Sequence, residues 1–384
     1  MNHRHGFKIV IGSAALLIAM TFGAVRAADE PIDLQKSREI RQKSKSGKPL
    51  TPEEKIYLDR AMAARGGEKA QSPKHTTAPK DDPGKPFRGF VPLTDMNSTE
   101  RYKGEDGGLY GGGRNGPSDV HLRAAMAEAA KIQPLDTSGR PSASGKIVMI
   151  THGMSNTTQE SQTFIEVANA DRRKNPALVL VDCAIGGADA ARWVSGELRG
   201  TQLWQTVDER IQLAGVSPLQ VQAAWVKHAR AMPSELGEFP GHAQVLKDDM
   251  AQVLQLLRQR FPNLRIAYLS SRTYAGYARG PLNPEPYAYE SAFTIRWLIQ
   301  DQIGGNAALR YTEGKAPLLL WGPYLWADGE KGRKFDELVW KREDANTGGT
   351  HLSELGRRKV ADQLIKFLTT DPTARPWFVG KAAR

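Results

Sequence analysis

The stretch KIVMITHGMSNTTQE, which spans Lys146–Glu160, decides the fold of this chain. After Lys146 come apolar and β-branched residues, as in a strand that is buried on both faces. Gly153 ends that run, and the polar residues that follow are typical of a helix start. Ser155 therefore lies on a predicted strand-to-helix turn, which is the repeating connection of a parallel α/β sheet.

The same alternation continues through the segment 89–384. Apolar, strand-like runs alternate with amphipathic patterns of helical period. This alternation predicts an α/β fold with a doubly wound, mostly parallel five-stranded sheet and long loop insertions. The predicted strands are Lys146–Thr151, Ala177–Cys183, Val221–Lys227, Leu264–Ser270 and Pro317–Trp321, and the predicted helices are Gln159–Ala170, Gln202–Ala214, Ala243–Phe261, Tyr287–Gln302 and Glu354–Leu368.

The N-terminal segment 1–27 has the composition of an export signal. It combines early cations, an apolar run and small residues before Ala27, which predicts cleavage after Ala27 and a periplasmic or extracellular location. An uncleaved membrane anchor is the alternative, because the apolar run approaches spanning length. Cleavage removes three cations and no acid, so the formal charge falls from +11 to +8.

The segment 28–88 is basic and rich in Pro, Ser and Gly, which predicts a largely disordered linker. Within it, Thr51-Pro52-Glu53-Glu54 predicts one short helix, because a capping residue precedes a proline and two acids. The positive charge favours peripheral contact with an anionic cell envelope. Nucleic acid is not an expected partner, because no basic aromatic module or recognition helix is visible. Cys183 is the only cysteine, and its apolar surroundings predict packing instead of reactivity.

Ser155 and His351 are the candidate chemical pair. Ligands of open α/β sheets bind outside the carboxyl ends of the strands, so Ser155 lies at the predicted binding edge. His351, in GGTHLSELG, precedes the last predicted helix and can reach that edge to accept the serine proton. The alternatives are a simple helix cap for Ser155 and an exposed loop residue for His351. Weaker candidates for the base are His152, His228 and His242.

Three blocks together resemble the SGNH, or GDSL-like, hydrolase superfamily. They are GMSN around Ser155, VDCAIGGADAARW at Val181–Trp193, and the C-terminal THLSELG. GMSN is most similar to the GQSN block of the carbohydrate-acetylesterase branches. The resemblance implies a flavodoxin-like three-layer sandwich, with Ser155 as nucleophile and His351 as base. It also implies an oxyanion hole that includes the N–H groups of Ser155 and Gly187, with Asn156 as a further oxyanion or substrate-binding residue.

Two positions depart from the family's pattern. The family usually has an aspartate three residues before its histidine, where this chain has Gly348. Asp344 is the candidate to orient the imidazole instead, with Glu343 or a backbone carbonyl as alternatives. In well-studied triads the orienting carboxylate contributes on the order of 10⁴ in turnover. The family's third block also offers an asparagine to the oxyanion, and here Lys227 or Asn283 is the candidate substitute.

The sequence predicts an exported serine esterase that needs no cofactor. It contains no HExxH motif, paired-histidine spacing or DxDxDG loop, so no metal site is predicted. The expected partner is a small-molecule or glycan ester, with an acetylated carbohydrate as the leading candidate. Ser271–Glu290, rich in Tyr, and Lys103–Asn115, rich in Gly, are predicted either to shape the pocket or to pack as surface loops. The alternative function is a catalytically impaired protein of this fold that binds glycan or cell-envelope material.

Overall fold

The computed structural model describes residues 40, 43, 50–55, 57–58, 89–196 and 198–380. The chain divides into two compact units, Met1–Thr76 and Thr77–Arg384. The predicted export signal, most of the basic segment and the predicted boundary near residue 88 lie outside the described residues. No described helix is both long enough and apolar enough to cross a membrane.

The first unit contains the predicted helix start. Thr51 Oγ1 accepts the Glu54 N–H at 3.2 Å, and the Thr51 N–H donates to the Glu54 carboxylate at 2.8 Å. These reciprocal bonds form a capping box, which satisfies two N–H groups at the helix start. Lys43 Nζ also contacts the Glu54 carboxylate at 2.7 Å. Residues 52–55 and 57–58 are helical.

The second unit follows the predicted order of strands and helices. Its strands are β1 (Ile147–Gly153), β2 (Leu178–Asp182), β3 (Val221–Lys227), β4 (Ile266–Leu269) and β5 (Leu318–Trp321). Its described α-helices are α1 (Asp119–Ala129), α2 (Ser155–Ala170), α3 (Ala190–Val194), α4 (Leu198–Leu213), α5 (Gly241–Arg260), α6 (Tyr287–Ile303), α7 (Glu354–Thr370) and α8 (Arg375–Phe378).

The sheet is parallel throughout, in the order β2-β1-β3-β4-β5. This is the flavodoxin-like order of a doubly wound sheet. The chain moves one way from β1 to β2 and the opposite way through β3, β4 and β5. Right-handed crossovers therefore place α2 on one face and α4, α5 and α6 on the other. α7 packs against α2. The predicted fold class is confirmed.

Burial explains why the strands are mostly apolar. Every residue of β1, β3, β4 and β5 is buried, because helices cover both faces of the sheet. β2, at one edge, is partly accessible. The strand sequences therefore lack the alternation that a half-exposed sheet would show, and their continuous apolar runs made them recognisable.

Three helices are missing from the sequence-based prediction: α1, α3 and α8. α3 and α8 have only five and four residues, too few for a periodic pattern. α1 is longer, but it exposes Val120 and Met126 and buries His121, whose Nε2 lies 2.8 Å from the Leu319 carbonyl. The exposed apolar residues and the buried histidine blur its amphipathic pattern.

Two buried histidines pair near the carboxyl ends of β1 and β3. His152 Nδ1 and His228 Nε2 are 2.9 Å apart, and the rings of Trp193 and Trp204 pack on His152. Among the described residues, the outer nitrogens of the pair have no partner. Burial lowers the pKa of His228 to about 3 and holds the pKa of His152 well below its ordinary value. The histidine pair is therefore neutral at pH 7.

The histidine pair is expected to make the fold sensitive to acid. Below about pH 6.5 these histidines bind protons in the unfolded chain but remain unprotonated in the folded protein. The free energy of unfolding therefore falls as the pH drops. Each such histidine contributes a slope of about 1.4 kcal/mol per pH unit. Urea unfolding at about pH 7 and about pH 5 compares the wild type with His228→Asn. The variant should lose less stability on acidification, and an equal loss in both proteins would contradict this account.

Candidate active site

The carboxyl ends of β1 and β3 form a topological switch point. The chain leaves β1 toward one face of the sheet and leaves β3 toward the other, which opens a crevice where ligands of such sheets bind. Gly153, the last residue of β1, lies beside Lys227, the last residue of β3. A Cβ at position 153 would lie 2.2 Å from the Lys227 carbonyl oxygen, so only glycine permits this close approach.

Ser155 and His351 meet at this crevice. Ser155 Oγ lies 2.7 Å from His351 Nε2, although 196 positions separate the two residues. Met154 is the N-cap of α2 and Ser155 is the first helical residue, so the serine hydroxyl contacts the imidazole and does not cap the helix. The contact has the length of a hydrogen bond through which a base can take a hydroxyl proton.

His351 is held in a loop of residues 345–352, called here the histidine loop. The loop folds back on itself, because the Asn346 N–H donates to the His351 carbonyl at 2.8 Å and the Ser353 N–H donates to the Asp344 carbonyl at 2.9 Å. Ser353 then caps α7, because its side chain accepts the Gly356 N–H. The imidazole therefore projects from a short hydrogen-bonded loop that is anchored to a helix start.

The segment Ser271–Glu290 supports the histidine loop. The Arg279 N–H donates to the Gly348 carbonyl at 3.1 Å. Gly349 has a φ of +73°, a conformation that favours glycine, and a Cβ there would lie 1.7 Å from the Tyr277 carbonyl oxygen. The loop and this segment are thus packed backbone to backbone, and the segment positions His351.

Lys103–Asn115, the other segment predicted to shape the pocket, is packed onto the fold. Arg296 of α6 donates to the Asp106 carbonyl at 2.6 Å, and Trp321 Nε1 of β5 donates to the Leu109 carbonyl at 2.7 Å. Leu109 is buried. The structure therefore favours the interpretation of this segment as a packed loop over that of a free lid.

Asp344, predicted to orient the imidazole, has other partners in the structure. Its Oδ2 accepts from Lys359 Nζ at 2.5 Å and from the Lys341 N–H at 2.7 Å. The carboxylate is therefore neutralised by a lysine of α7 and caps the turn at Arg342–Asp344. Across the described part of the chain, no carboxylate hydrogen-bonds to His351. The prediction for Asp344 is corrected accordingly.

Lys227, predicted as an oxyanion donor, forms a buried ion pair. Its Nζ lies 2.6 and 2.7 Å from the carboxylate oxygens of Glu160, and both side chains are inaccessible to solvent. Glu160 lies on α2, so the pair ties β3 to the helix that begins at Ser155. Burial lowers the pKa of Lys227 to about 8. The Lys227 ammonium is thus held by Glu160 and is not a free donor for an oxyanion.

Asn283, the other candidate for the oxyanion donor, bridges two loops. Its Oδ1 accepts from Arg272 Nε at 3.1 Å, and its Nδ2 donates to the Arg230 carbonyl at 3.2 Å. The side chain is buried. Asn283 therefore joins the loops that follow β3 and β4, and both ends of its amide are already hydrogen-bonded.

The remaining predicted oxyanion groups lie on the first turn of α2 and on the loop after β2. The Ser155 N–H belongs to the first turn of α2, where helical N–H groups lack intrahelical partners. The Ile185 N–H donates to the Gly153 carbonyl at 3.1 Å, which brings the loop containing Gly187 to the end of β1. Asn156 is buried, and its Oδ1 has no partner among the described residues.

Arg272 is the site residue whose role the sequence did not reveal. It follows β4, is 1% exposed, and donates from Nη2 to the carbonyl of Thr350 at 3.3 Å. Burial, followed by the positive charges of Arg272 and Lys227, lowers the pKa of His351 to about 4. The imidazole is thus neutral at pH 7, which is the form that can accept a proton. In the sequence, the position of Arg272 at the binding edge was the only sign of this role, because Arg272 belongs to no recognised motif.

The other candidate histidines have partners away from Ser155. His152 and His228 pair with each other, and His242 Nε2 lies 2.7 Å from the Glu290 carboxylate. Within the described ranges, no group of three or more metal-ligating side chains of the His, Cys, Asp and Glu types comes together. Of the histidines that the sequence offers as candidates for the base, His351 is therefore the one that the structure places against Ser155.

Comparison with known proteins adds little to this site. No family model and no curated protein matches the chain. One solved structure, of a Bacteroides fragilis protein provisionally named as an acylhydrolase, has 11% sequence identity and a TM-score of 0.33. The similarity covers 65% of this chain and 96% of that one. A similarity at this sequence identity and TM-score supports no conclusion about function.

Proposed function

We propose that the protein is a serine hydrolase that cleaves ester bonds, with Ser155 as nucleophile and His351 as general base. The observation that carries the proposal is the 2.7 Å contact between Ser155 Oγ and His351 Nε2 at the switch point of the sheet. A serine hydroxyl is a weak nucleophile unless a base takes its proton, and a neutral imidazole at hydrogen-bond distance is such a base.

In the proposed reaction, Ser155 Oγ attacks the acyl carbon while its proton passes to His351 Nε2. The negative charge that develops on the acyl oxygen faces the positive end of α2, and the proposed donors are the N–H groups of Ser155 on that helix and of Gly187 on the loop after β2. The imidazolium then returns the proton to the leaving alcohol as the ester C–O bond breaks. A water molecule then attacks the acyl carbon while His351 takes its proton, and this proton passes to Ser155 Oγ as the bond between Oγ and the acyl carbon breaks and the acid leaves.

The proposed substrate is an acetylated carbohydrate, and the proposed location is outside the cytoplasm. The substrate class rests on the resemblance of the GMSN block to carbohydrate acetylesterases, and the location rests on the composition of the segment 1–27. The basic segment 28–88 is proposed to contact the cell envelope through its positive charge. Sequencing the N-terminus of the protein isolated from the producing cell tests the location, with Ala28 expected as the first residue.

The proposal predicts that the wild-type protein hydrolyses an activated acetyl ester such as p-nitrophenyl acetate, and that Ser155→Ala lowers turnover by about 10³ or more. Ser144→Ala, which changes an exposed serine away from the crevice, is the matched control and should behave as wild type. Turnover that persists in Ser155→Ala would rule out the assignment of the nucleophile.

The turn at Gly349 provides a second test, without changing either reacting side chain. Gly349→Ala would press a Cβ into the Tyr277 carbonyl and displace the histidine loop. We expect turnover to fall about a hundredfold, as for a misplacement of about 1 Å in a catalytic group. Gly348→Ala is the control, because its Cβ would meet nothing closer than Asn346 Oδ1 at 3.6 Å. Equal turnover of the two variants would contradict the role of this turn.

The alternative function is a binding protein of the same fold that has lost its activity. It is favoured by one observation: no described carboxylate orients His351, and Asp344 pairs with Lys359 instead. This alternative predicts that acetylated glycans bind without turnover and that binding survives in Ser155→Ala. Calorimetry with an acetylated oligosaccharide, run beside the ester assay, separates the two functions.

A further inference from the structure

We propose that Arg272 is a positioning residue that fixes the histidine loop at a site where no described carboxylate orients His351. It holds the histidine loop in place through the carbonyl of Thr350, and its positive charge adds to the effect of burial in keeping the imidazole of His351 unprotonated. The catalytic meaning of this proposal rests on the proposed function, but its physical content concerns only Arg272 and His351.

Three hydrogen bonds hold Arg272 in place, two from its guanidinium and one from its backbone. Its Nε donates to Asn283 Oδ1 at 3.1 Å, its Nη2 donates to the Thr350 carbonyl at 3.3 Å, and its backbone N–H donates to Ser291 Oγ at 3.1 Å. Asn283 in turn donates to the Arg230 carbonyl. Arg272 therefore links the loops after β3 and β4 to the residue that immediately precedes His351.

The charge of Arg272 is not neutralised by a direct partner. Among the described residues no carboxylate lies within ion-pair distance of it, and its buried Nη1 has no hydrogen-bond partner. Lys227, the other cation near His351, is paired with Glu160. Glu160 and Glu285 attract Arg272 only from beyond ion-pair distance, so its burial as a cation is costly.

The charged groups that act on His351 are the cations Arg272 and Lys227, of which Lys227 is paired with Glu160 and Arg272 is attracted by Glu285 from beyond ion-pair distance. Asp344 is not one of them, because Lys359 neutralises it. A carboxylate partner would raise the pKa of the imidazole, whereas burial and the two cations lower it to about 4. The base stays neutral in mildly acidic solution, where a histidine of ordinary pKa would be protonated.

The test compares three variants by NMR titration of the His351 ring, with its signal assigned by loss in His351→Asn. Arg272→Gln removes the charge and should raise the pKa of His351 by about one unit or more. Arg272→Lys keeps the charge, so the pKa should stay low while kcat falls. Arg342→Gln is the matched control: Arg342 also donates to carbonyls of the histidine loop, at Ala345, Asn346 and Thr347, but its charge does not contribute to the low pKa of His351.

An unchanged pKa of His351 in Arg272→Gln would overturn the proposal, as would an equal rise in Arg342→Gln. Should Arg272→Gln not fold, the wild-type titration decides, because a His351 pKa at or above the ordinary 6.5 contradicts the proposal by itself. The pH at which kcat/KM falls in acid should shift together with the pKa of His351. These outcomes are separate from the proposed function, because the pKa of His351 is measurable in Ser155→Ala, which is expected to be inactive.

Discussion

Replacing His351 with glutamine is expected to reduce ester turnover about as severely as Ser155→Ala, on the order of 10³ or more, and the double variant is expected to be no worse than either single variant. The reason is the 2.7 Å contact between the two side chains. A nucleophile and its base act as one unit, so removing the second partner costs little once the first is gone.

The steady-state kinetics of the three variants test this coupling on an activated acetyl ester. His121→Gln is a suitable control, because His121 contacts the Leu319 carbonyl and does not contact the crevice residues. Losses that multiply in the double variant would mean that Ser155 and His351 act independently, and the assignment of base to nucleophile would then be wrong.

Glu160→Gln is expected to cost about 3–5 kcal/mol in the free energy of unfolding, the range for removing one partner of a buried ion pair. The variant leaves Lys227 buried without its carboxylate partner and still exposed to the positive charge of Arg272. Glu160 and Lys227 are 0% and 1% exposed, so solvent cannot take over the role of the missing partner. Urea unfolding at about pH 7 measures the loss.

The double variant Glu160→Met/Lys227→Met should recover most of that loss, because an apolar pair of similar volume removes the buried charges together. The exposed pair Arg358–Asp362 provides the control, since Asp362→Asn should change stability by less than about 1 kcal/mol. If Glu160→Gln were as mild as Asp362→Asn, the Lys227–Glu160 pair could not be the support that the structure indicates.

The fold could be predicted because its signals are local. A parallel sheet covered on both faces favours strands that are mostly apolar, and each of the five strands contains such a run. Because the strands are parallel, their carboxyl ends lie at one edge of the sheet, and right-handed crossovers fix the face on which each helix packs. The meeting of Ser155 with His351 was predictable for the same reason, since both residues flank helix starts at one edge of the sheet.

The surroundings of His351 could not be predicted, because they depend on contacts between loops. Asp344 is close to His351 in sequence, but the fold-back of the histidine loop pairs Asp344 with Ser353 and directs its carboxylate to Lys359. Arg272 is 78 positions before Thr350, whose carbonyl it contacts. Sequence spacing carries no information on such a contact.

The most direct measurement of the central claim is covalent trapping of the nucleophile. The folded wild-type protein is treated with a fluorophosphonate at neutral pH and digested, and its peptides are mapped by mass spectrometry. We predict one adduct, on Ser155, that forms far more slowly in His351→Gln. A folded wild-type protein that forms no adduct on Ser155, or that forms it equally fast without His351, would contradict the account.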